Sequence, residues 1–290
     1  MERKWKTAFL TILDYQTMDS KDVIESLKRV GYEGIEWTVE GHFDPDTKTT
    51  EQLKEIVECT RDAGMEVSQI MFHQDLISKD ETWRKQRIER TVRVIEAAGI
   101  CGAPAVSVLT GPSIWEDGHV RIGEDMSEGN AWAQAIEAIE TFANAAESAG
   151  VLITTEAVYG MLAHDFYTHR YLLQKVPHSA HRINFDPSHY VLYGIEDMAW
   201  AIHEMQEYIA HVHIKDGIGI PQLNKFVFPL LGEGRVNWKD LFEALDAIGY
   251  DGYCSMEFES FRFYRQVLKN DPEAAARLLL EQVNELLDPA

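Results

Sequence analysis

Residues 30–35 of this chain are Val-Gly-Tyr-Glu-Gly-Ile, and residues 248–253 repeat the pattern as Ile-Gly-Tyr-Asp-Gly-Tyr. In both places an amphipathic helical segment meets a glycine, and a short apolar run follows. Glycine readily adopts the left-handed conformation that ends a helix. Similar junctions occur at Gly64, Gly99 and Gly150. The recurring unit predicts helices that alternate with strands.

Eight apolar runs fit parallel strands between these helices. A chain of 290 residues with this alternation favours a closed barrel over an open sheet, and it contains no glycine-rich motif for nucleotide phosphates. We therefore predict an α/β fold, a (β/α)8 TIM barrel that forms a single domain over residues 1–290. The predicted strands are residues 8–13, 34–37, 67–71, 105–109, 152–156, 181–186, 209–213 and 253–257.

Two local features complete the predicted organisation. Asp19 and Ser20 offer capping oxygens at the start of the first helix. Residues 111–129, after the fourth strand, form the only long insertion, which is acidic and contains glycines. This insertion could be a lid over the barrel mouth, but a solvated loop is the commoner structure for such a segment.

The formal net charge is −21, from 48 acidic and 27 basic residues. Such a surface repels phosphate backbones and anionic membranes, so we expect neither nucleic acid nor membrane as a partner. No apolar run is long enough to span a bilayer, and no signal-peptide pattern precedes the first strand. The three cysteines lack metal-binding spacing and suit a reducing compartment. We therefore expect a cytoplasmic protein.

Four acidic or imidazole side chains end successive predicted strands: Glu156, Asp186, His213 and Glu257. Barrel active sites lie at these strand ends. Each residue taken alone could be a helix cap or an ion-pair partner, but three carboxylates converging on one point require a cation. We predict one divalent metal ion. Manganese is the first expectation, magnesium or cobalt are alternatives, and zinc is less suited.

Further polar and aromatic residues near the strand ends are candidates for substrate contacts. Glu36 and Lys215 could bind sugar hydroxyls or could form structural ion pairs. Trp37 and Trp115 could wall a sugar ring or could belong to the core. His73 and Arg235 are weaker candidates for the same role. The remaining histidines expected at the surface are His42, His164, His169 and His203.

Several motifs resemble the sugar phosphate isomerase and epimerase family of xylose isomerase-like barrels. This group includes D-tagatose and D-psicose 3-epimerases, hydroxypyruvate isomerase and inosose dehydratase. The resemblance implies the same four metal ligands, a substrate contact from His189, and a homodimer or homotetramer. The motifs are Gly-Ile-Glu-Trp at 34–37, Thr-Glu at 155–156, Phe-Asp-Pro-Ser-His at 185–189, His-Val-His-Ile-Lys-Asp at 211–216, Leu-Gly-Glu-Gly at 231–234 and Ser-Met-Glu-Phe-Glu at 255–259.

The chain also departs from patterns of this family. Ketose 3-epimerases carry a second glutamate where this chain has Leu162, and an arginine where it has Gly217. The DNA-repair branch, which resembles endonuclease IV, needs extra zinc ligands that are missing after the fourth and seventh strands. A simple ketose epimerase is thus in doubt, and a nuclease is nearly excluded.

We expect a metal-dependent isomerase or epimerase that acts on a small sugar-like substrate. Proton transfer next to a carbonyl, through an ene-diolate, would use Glu156 and Glu257 as base and acid. The alternative is a metal-dependent lyase or dehydratase acting on a keto-inositol, a 3-keto-sugar or a glycoside. A non-catalytic sugar-binding barrel is a third alternative, which the intact pair of glutamates argues against.

Overall fold

The computed structural model describes residues 3–288 and has a closed barrel of eight strands at its centre. All neighbouring strands of the barrel are parallel, and they follow one another around it in chain order. The predicted (β/α)8 TIM barrel is thereby confirmed. Its strands are β1 (Lys6–Leu10), β2 (Gly34–Thr38), β3 (Glu66–Met71), β4 (Ala105–Val108), β5 (Leu152–Glu156), β6 (His181–Phe185), β7 (Ile209–Ile214) and β10 (Tyr253–Met256).

Helices surround the barrel and cover the outer face of its strands. Their amphipathic faces pack on the strands, so strand residues are buried on both faces, as in β2. No helix in the described part of the chain is long and apolar enough to cross a membrane. The helices are α1 (Ser20–Val30), α2 (Thr50–Asp62), α3 (Glu81–Cys101), α4 (Glu128–Ala149), α5 (Phe166–Lys175), α6 (Pro187–Leu192), α7 (Met198–Met205), α8 (Trp238–Ala247), α9 (Phe261–Gln266) and α10 (Pro272–Leu287).

The helix ends mostly follow the predicted chemistry. The Asp19 side chain accepts a hydrogen bond from the backbone of Lys21 at the start of α1. Gly31 and Gly150 adopt left-handed conformations that end α1 and α4. Gly99 is an exception, because α3 continues past it and ends at Gly102. A side chain at Gly99 would collide with Ala149 of α4, so this glycine permits close helix packing instead.

Two regions differ from the predicted pattern. The first strand ends at Leu10 and not at residue 13, because a short 3-10 helix begins at Leu13. A small antiparallel hairpin was not predicted; it consists of β8 (Ile218–Ile220) and β9 (Lys225–Val227) and follows β7. Its strands are too short to give a clear alternation of apolar and polar residues.

The insertion at residues 111–129 forms an irregular loop up to Ser127, where α4 is capped. Arg87 of α3 holds the loop through an ion pair of 2.8 Å with Glu116. The loop interpretation is therefore the one that the structure supports, and the loop reaches the mouth of the barrel.

Candidate functional site

The four predicted ligands meet at the carboxyl end of the barrel. Glu156 is the last residue of β5, Asp186 follows β6, His213 lies in β7, and Glu257 follows β10. One ligand atom of each lies within 4.8 Å of the others. His213 Nδ1 is 3.0 Å from Glu257 Oε2 and 3.4 Å from Glu156 Oε2. We call this group the ligand cluster.

The ligand cluster has the chemistry of a cation site. Asp186 Oδ2 and His213 Nδ1 are buried without a well-aligned hydrogen bond, although Lys215 Nζ lies 3.1 Å from the first atom and Glu257 Oε2 lies 3.0 Å from the second. Burial raises the pKa of Glu156 well above its ordinary value, and the neighbouring Glu257 and Asp186 charges act in the same direction. Buried acceptors and crowded carboxylates are stabilised by a bound cation. Three carboxylates and one imidazole fit a divalent ion that prefers oxygen and nitrogen ligands.

Glu36 lies beneath the ligand cluster and does not line the cavity above it. Its Oε2 accepts a hydrogen bond of 3.0 Å from His213 Nε2, and its Oε1 accepts one of 2.7 Å from Gln69. A carboxylate on one imidazole nitrogen directs the other nitrogen toward a metal. This position corrects the prediction that Glu36 contacts sugar hydroxyls: its partner is His213.

A second potential group for a metal ion consists of Glu36, His211 and His213. Its atoms already have protein partners, since His211 Nδ1 is 2.9 Å from Asn184 Oδ1 and Nε2 is 3.3 Å from Ser68 Oγ. Asn184 in turn donates a hydrogen bond of 2.7 Å to Glu156 Oε2. We interpret this layer as a hydrogen-bond network that supports the ligand cluster from below.

Replacing Glu36 with glutamine is expected to weaken the affinity for a divalent metal by about 10-fold to 100-fold. The amide keeps the shape of the side chain but removes the charge that holds the His213 Nε2 proton. Calorimetric titration of the metal-free protein with Mn²⁺ measures the effect. Glu40→Gln, an exposed change nearby on the chain, is the control. Unchanged affinity in Glu36→Gln would show that His213 needs no such support.

Lys215 follows β7 and lines the cavity, as predicted for a substrate contact. Its Nζ donates hydrogen bonds to Glu257 Oε2 at 2.8 Å and Glu259 Oε2 at 3.0 Å, and it lies 3.1 Å from Asp186 Oδ2. Burial alone would lower the pKa of Lys215, but these three carboxylates raise it well above the ordinary value. Lys215 is therefore a charged, buried group at the edge of the ligand cluster. It forms ion pairs, which was one predicted alternative, and it also lines the cavity, as the other alternative requires.

Metal uptake is expected to release a proton. Burial lowers the pKa of His213, but the carboxylates of Glu36, Glu156 and Glu257 outweigh burial and raise it well above the ordinary value in the metal-free protein. The bound imidazole must lose that proton, so affinity should fall as pH falls, by up to about tenfold per pH unit per proton. Titrations in buffers with different ionisation enthalpies count the protons. Heats that do not depend on the buffer would contradict this prediction.

His189 lies beside the ligand cluster at the first turn of α6. Its Nε2 is 3.6 Å from Glu156 Oε1 and 3.5 Å from Asp186 Oδ2, while the backbone N–H of Tyr159 donates to Nδ1. Burial and the nearby Lys215 charge lower the pKa of His189 well below its ordinary value. The neutral ring faces the cavity, where the predicted contact with a substrate oxygen can form.

A cavity of about 380 Å³ opens above the ligand cluster, and we call it the inner cavity. His73 and Trp115, two of the predicted substrate contacts, line it. His73 is 3.2 Å from Ser107 Oγ, and burial lowers the pKa of His73 to about 4. The described lining residues are Ile12, Leu13, Gln16, Met71, His73, Trp115, Glu156, Val158, Tyr159, His189, Lys215, Glu257, Glu259 and Phe261.

Two predicted substrate contacts lie elsewhere. Trp37 is buried between β2 and α2, where its indole N–H donates to Thr60 Oγ1 at 3.2 Å. Side chains alternate between the two faces of a strand, so Glu36 points into the barrel and Trp37 points out. Arg235 lies in an exposed loop and pairs with Glu196. Neither residue lines the inner cavity, which corrects both predictions.

The histidines expected at the surface divide into two groups. His203 is exposed and His164 is half-buried, but His42 and His169 are fully buried. His169 lies 2.9 Å from Thr155 Oγ1, and burial lowers its pKa to about 3. The surface prediction is therefore wrong for His42 and His169, which are core residues with hydrogen-bond partners.

Sequence reasoning missed several residues of the cavity wall, including Tyr159, Gln16 and Phe261. All three lie in segments that follow barrel strands. Tyr159 comes only three residues after Glu156 at the end of β5. Because loops after the strands form the active-site face of a barrel, its closeness to a predicted ligand was the signal that could have found it.

A closed (β/α)8 barrel with a candidate metal cluster at the carboxyl ends of its strands defines the class of this protein. More specifically, the chain belongs to the xylose isomerase-like TIM barrel family, whose model matches residues 24–286. The resemblance found in the sequence motifs is thereby confirmed.

The individual proteins that this chain resembles match it over a short segment or at low sequence identity. The chain is 35% identical over 89 residues to an inosose dehydratase from Geobacillus thermodenitrificans, a match that spans 26% of this chain and only 29% of that protein. The crystal structure of D-psicose 3-epimerase with D-tagatose from Clostridium cellulolyticum has a TM-score of 0.76 at 18% identity, covering 97% of this chain and 99% of the other. The IOLI protein with a zinc atom has a TM-score of 0.75 at 15% identity, covering 97% and 98%.

Proposed function

We propose that this protein is a metal-dependent isomerase or epimerase that moves a proton next to a carbonyl group of a small sugar-like substrate. The observation that carries the proposal is the placement of Glu156 and Glu257 within the ligand cluster, on the wall of one cavity. Membership of a family whose solved structures include epimerases supports an enzymatic role. The fold alone does not determine the reaction, so the site must carry the argument.

The two carboxylates reach the cavity from different sides of the barrel. Glu156 ends β5 and Glu257 follows β10, and the strands β6 and β7 lie between them. A flat intermediate above the cluster would therefore have one carboxylate near each face. Proton removal by one and return by the other inverts a carbon centre, and return to the neighbouring carbon gives isomerisation.

Other residues would orient the substrate and maintain the charge balance. Lys215 keeps its proton and lines the cavity, where it can exchange one of its carboxylate partners for a substrate oxygen, and neutral His189 faces the same space. The ligand set Glu156, Asp186, His213 and Glu257 would hold a divalent ion, with manganese proposed first and magnesium, cobalt or zinc as alternatives. Such an ion, when bound, polarises a carbonyl group and offsets negative charge on oxygen.

The charges of the inner cavity also favour an uncharged substrate. Among its described lining residues Lys215 is the sole lysine or arginine, and it already pairs with Glu257 and Glu259. A phosphate group would meet these carboxylates, and the described lining offers it no lysine or arginine that is free of a carboxylate partner. We propose that the substrate carries no phosphate.

A lyase or dehydratase acting on a keto-inositol, a 3-keto-sugar or a glycoside is the second candidate. Two observations favour it over a simple ketose 3-epimerase. Leu162 is buried where those epimerases carry a glutamate. A side chain at Gly217 would come within 2.6 Å of the Ser188 carbonyl oxygen, so the expected arginine has no room. The partial match to an inosose dehydratase agrees with this alternative.

Incubation in deuterium oxide distinguishes the candidates. The metal-loaded protein is mixed with ketoses, keto-inositols and 3-keto-glycosides, and the products are followed by NMR and mass spectrometry. An epimerase or isomerase conserves the substrate's composition and can introduce deuterium at carbon, whereas a dehydratase removes water. If the whole panel shows no deuterium exchange and no product, the proposed function is refuted and a binding role remains.

A further inference from the structure

A second cavity, of about 440 Å³, lies next to the inner cavity on the same face of the barrel. We call it the outer cavity. Trp115 and Tyr159 line both, so the two spaces share a wall. No predicted ligand or proton carrier lies in the outer cavity. The residues that line it are Ile114, Trp115, Tyr159, Gly160, Tyr193, Pro221, Gln222, Asn224 and Phe226.

The chemistry of the outer cavity differs from that of the inner one. Its lining residues include four aromatic side chains and two amides, and none of them is charged. Aromatic faces pack against the apolar face of a ring, and amides exchange hydrogen bonds with hydroxyl groups. The size falls within the range of roughly 300–1,000 Å³ that is usual for small-molecule sites. Such a lining suits an uncharged ring.

Contacts among four segments, which follow β4, β5, β6 and β7, build the outer cavity. The Tyr159 ring, after β5, lies 4.5 Å from the Phe226 ring of the hairpin. A side chain at Gly160 would come within 2.7 Å of Ile114 in the loop after β4. The backbone N–H of Gly160 also donates to the Tyr193 hydroxyl at 3.2 Å. These contacts hold the walls of the cavity against one another.

The two strands of the hairpin that carries Phe226 pack closely against each other. Gly219 has a φ of 126°, and a side chain there would collide with the backbone of Lys225 and Phe226. Only glycine allows β8 and β9 to approach this closely. Phe226 and Gly219 are paired on one face of the hairpin, and the ring of Phe226 points toward Tyr159. Val227, its neighbour, is exposed on the other face.

We infer that the outer cavity binds an uncharged ring attached to the reacting sugar, so that the substrate is a glycoside and not a free monosaccharide. This inference rests on the proposed function, because it places the reacting carbonyl in the inner cavity. Trp115 and Tyr159 line both cavities, so the two spaces are adjacent, and the inference requires one molecule with two rings to reach from one into the other. Either an aromatic ring or a second sugar ring satisfies the lining, and the experiment separates them.

The test compares methyl, phenyl and glucosyl glycosides of one 3-keto-sugar. In the wild-type protein kcat/KM for a ring-bearing glycoside should exceed that for the methyl glycoside by about tenfold or more. Phe226→Ala should reduce that ratio to near one. Val227→Ala, on the opposite face of the same hairpin, is the matched control and should keep the wild-type ratio. The preferred ring, phenyl or glucosyl, identifies the group that the cavity takes.

Gln222→Trp provides a second variant, because Gln222 is exposed at the rim and its replacement fills the cavity without changing the core. In this variant the ratio of kcat/KM for a ring-bearing glycoside to kcat/KM for the methyl glycoside should fall, as in Phe226→Ala. Equal rates for methyl, phenyl and glucosyl glycosides in the wild-type protein would overturn the inference while leaving the proposed function intact.

Binding of an unreactive phenyl glucoside, with a hydroxyl in place of the keto group, tests the outer cavity independently of turnover. Saturation-transfer NMR should show contact with the phenyl protons in the wild-type protein and Val227→Ala, and a loss in Phe226→Ala. Such contact in a protein that turns over no keto-sugar would support the cavity and refute the proposed reaction. Absence of contact in the wild-type protein would overturn the inference.

Discussion

Glu156→Gln and Glu257→Gln are each expected to lower turnover by about 100-fold or more, within the range typical of losing a general acid or base. Glutamine keeps an oxygen that can face the ligand cluster and can still accept the hydrogen bond from Asn184 or Lys215. It cannot take up a proton. The expected loss is therefore larger in turnover than in metal affinity.

Turnover at saturating metal and deuterium wash-in measure this effect, with metal content determined in the same samples. Glu259→Gln is a matched comparison, because this carboxylate also pairs with Lys215 but lies outside the ligand cluster. Its turnover should fall less than that of the other two variants. Near-normal turnover in both Glu156→Gln and Glu257→Gln would move the proton carriers to Lys215 or Glu259, the other ionisable groups beside Glu257 on the cavity wall.

Lys215→Met is expected to lower the free energy of unfolding of the metal-free protein by about 3–5 kcal/mol at neutral pH. The ammonium is buried, and its loss would leave Asp186, Glu257 and Glu259 without their cation. Lys215 acts to lower the pKa of Glu257 and Glu259, so its removal should raise the pKa of both in the folded protein. These carboxylates take up protons as pH falls, so the deficit relative to wild type should shrink in acid.

Urea denaturation at several pH values, with and without Mn²⁺, measures this prediction. A saturating divalent ion should restore part of the lost stability because it supplies the missing positive charge and binds only the folded site. Lys225→Met, an exposed change on the hairpin, serves as the control and should have little effect. A metal-free Lys215→Met protein as stable as wild type would show that the buried ion pairs contribute nothing net.

The ligand cluster could be predicted because its signal is local. Each of its residues ends or follows a short apolar run, and in a closed barrel those ends meet at one face. The supporting layer was harder to predict. Glu36 and Trp37 are neighbours at the end of β2, and both were expected in the cavity, although one strand can direct only one of them inward. Because all five residues of β2 are buried, apolar patterning does not distinguish its two faces.

The outer cavity had no signal in the sequence. Its walls come from four segments far apart in the chain, which contain Trp115, Tyr159, Tyr193 and Phe226. The hairpin that carries Phe226 has strands of only three residues, too short for a periodic pattern. Arg235 was expected at the barrel mouth as a weaker candidate for a substrate contact, but it is exposed and pairs with Glu196.

The alternation of helices and strands, the barrel, and the four residues gathered at its mouth could all be inferred from the amino-acid sequence. These features depend on apolar runs, glycine stops and the residues that end each run, all of which are short-range properties. Three features became apparent from the folded chain alone: Glu36 supports His213, Trp37 faces the helices, and an uncharged cavity adjoins the inner cavity. The physical reason is that closure of the barrel buries both faces of every strand and brings distant loops together. The direction of a side chain and the identity of its neighbours therefore depend on contacts between segments that are far apart in sequence.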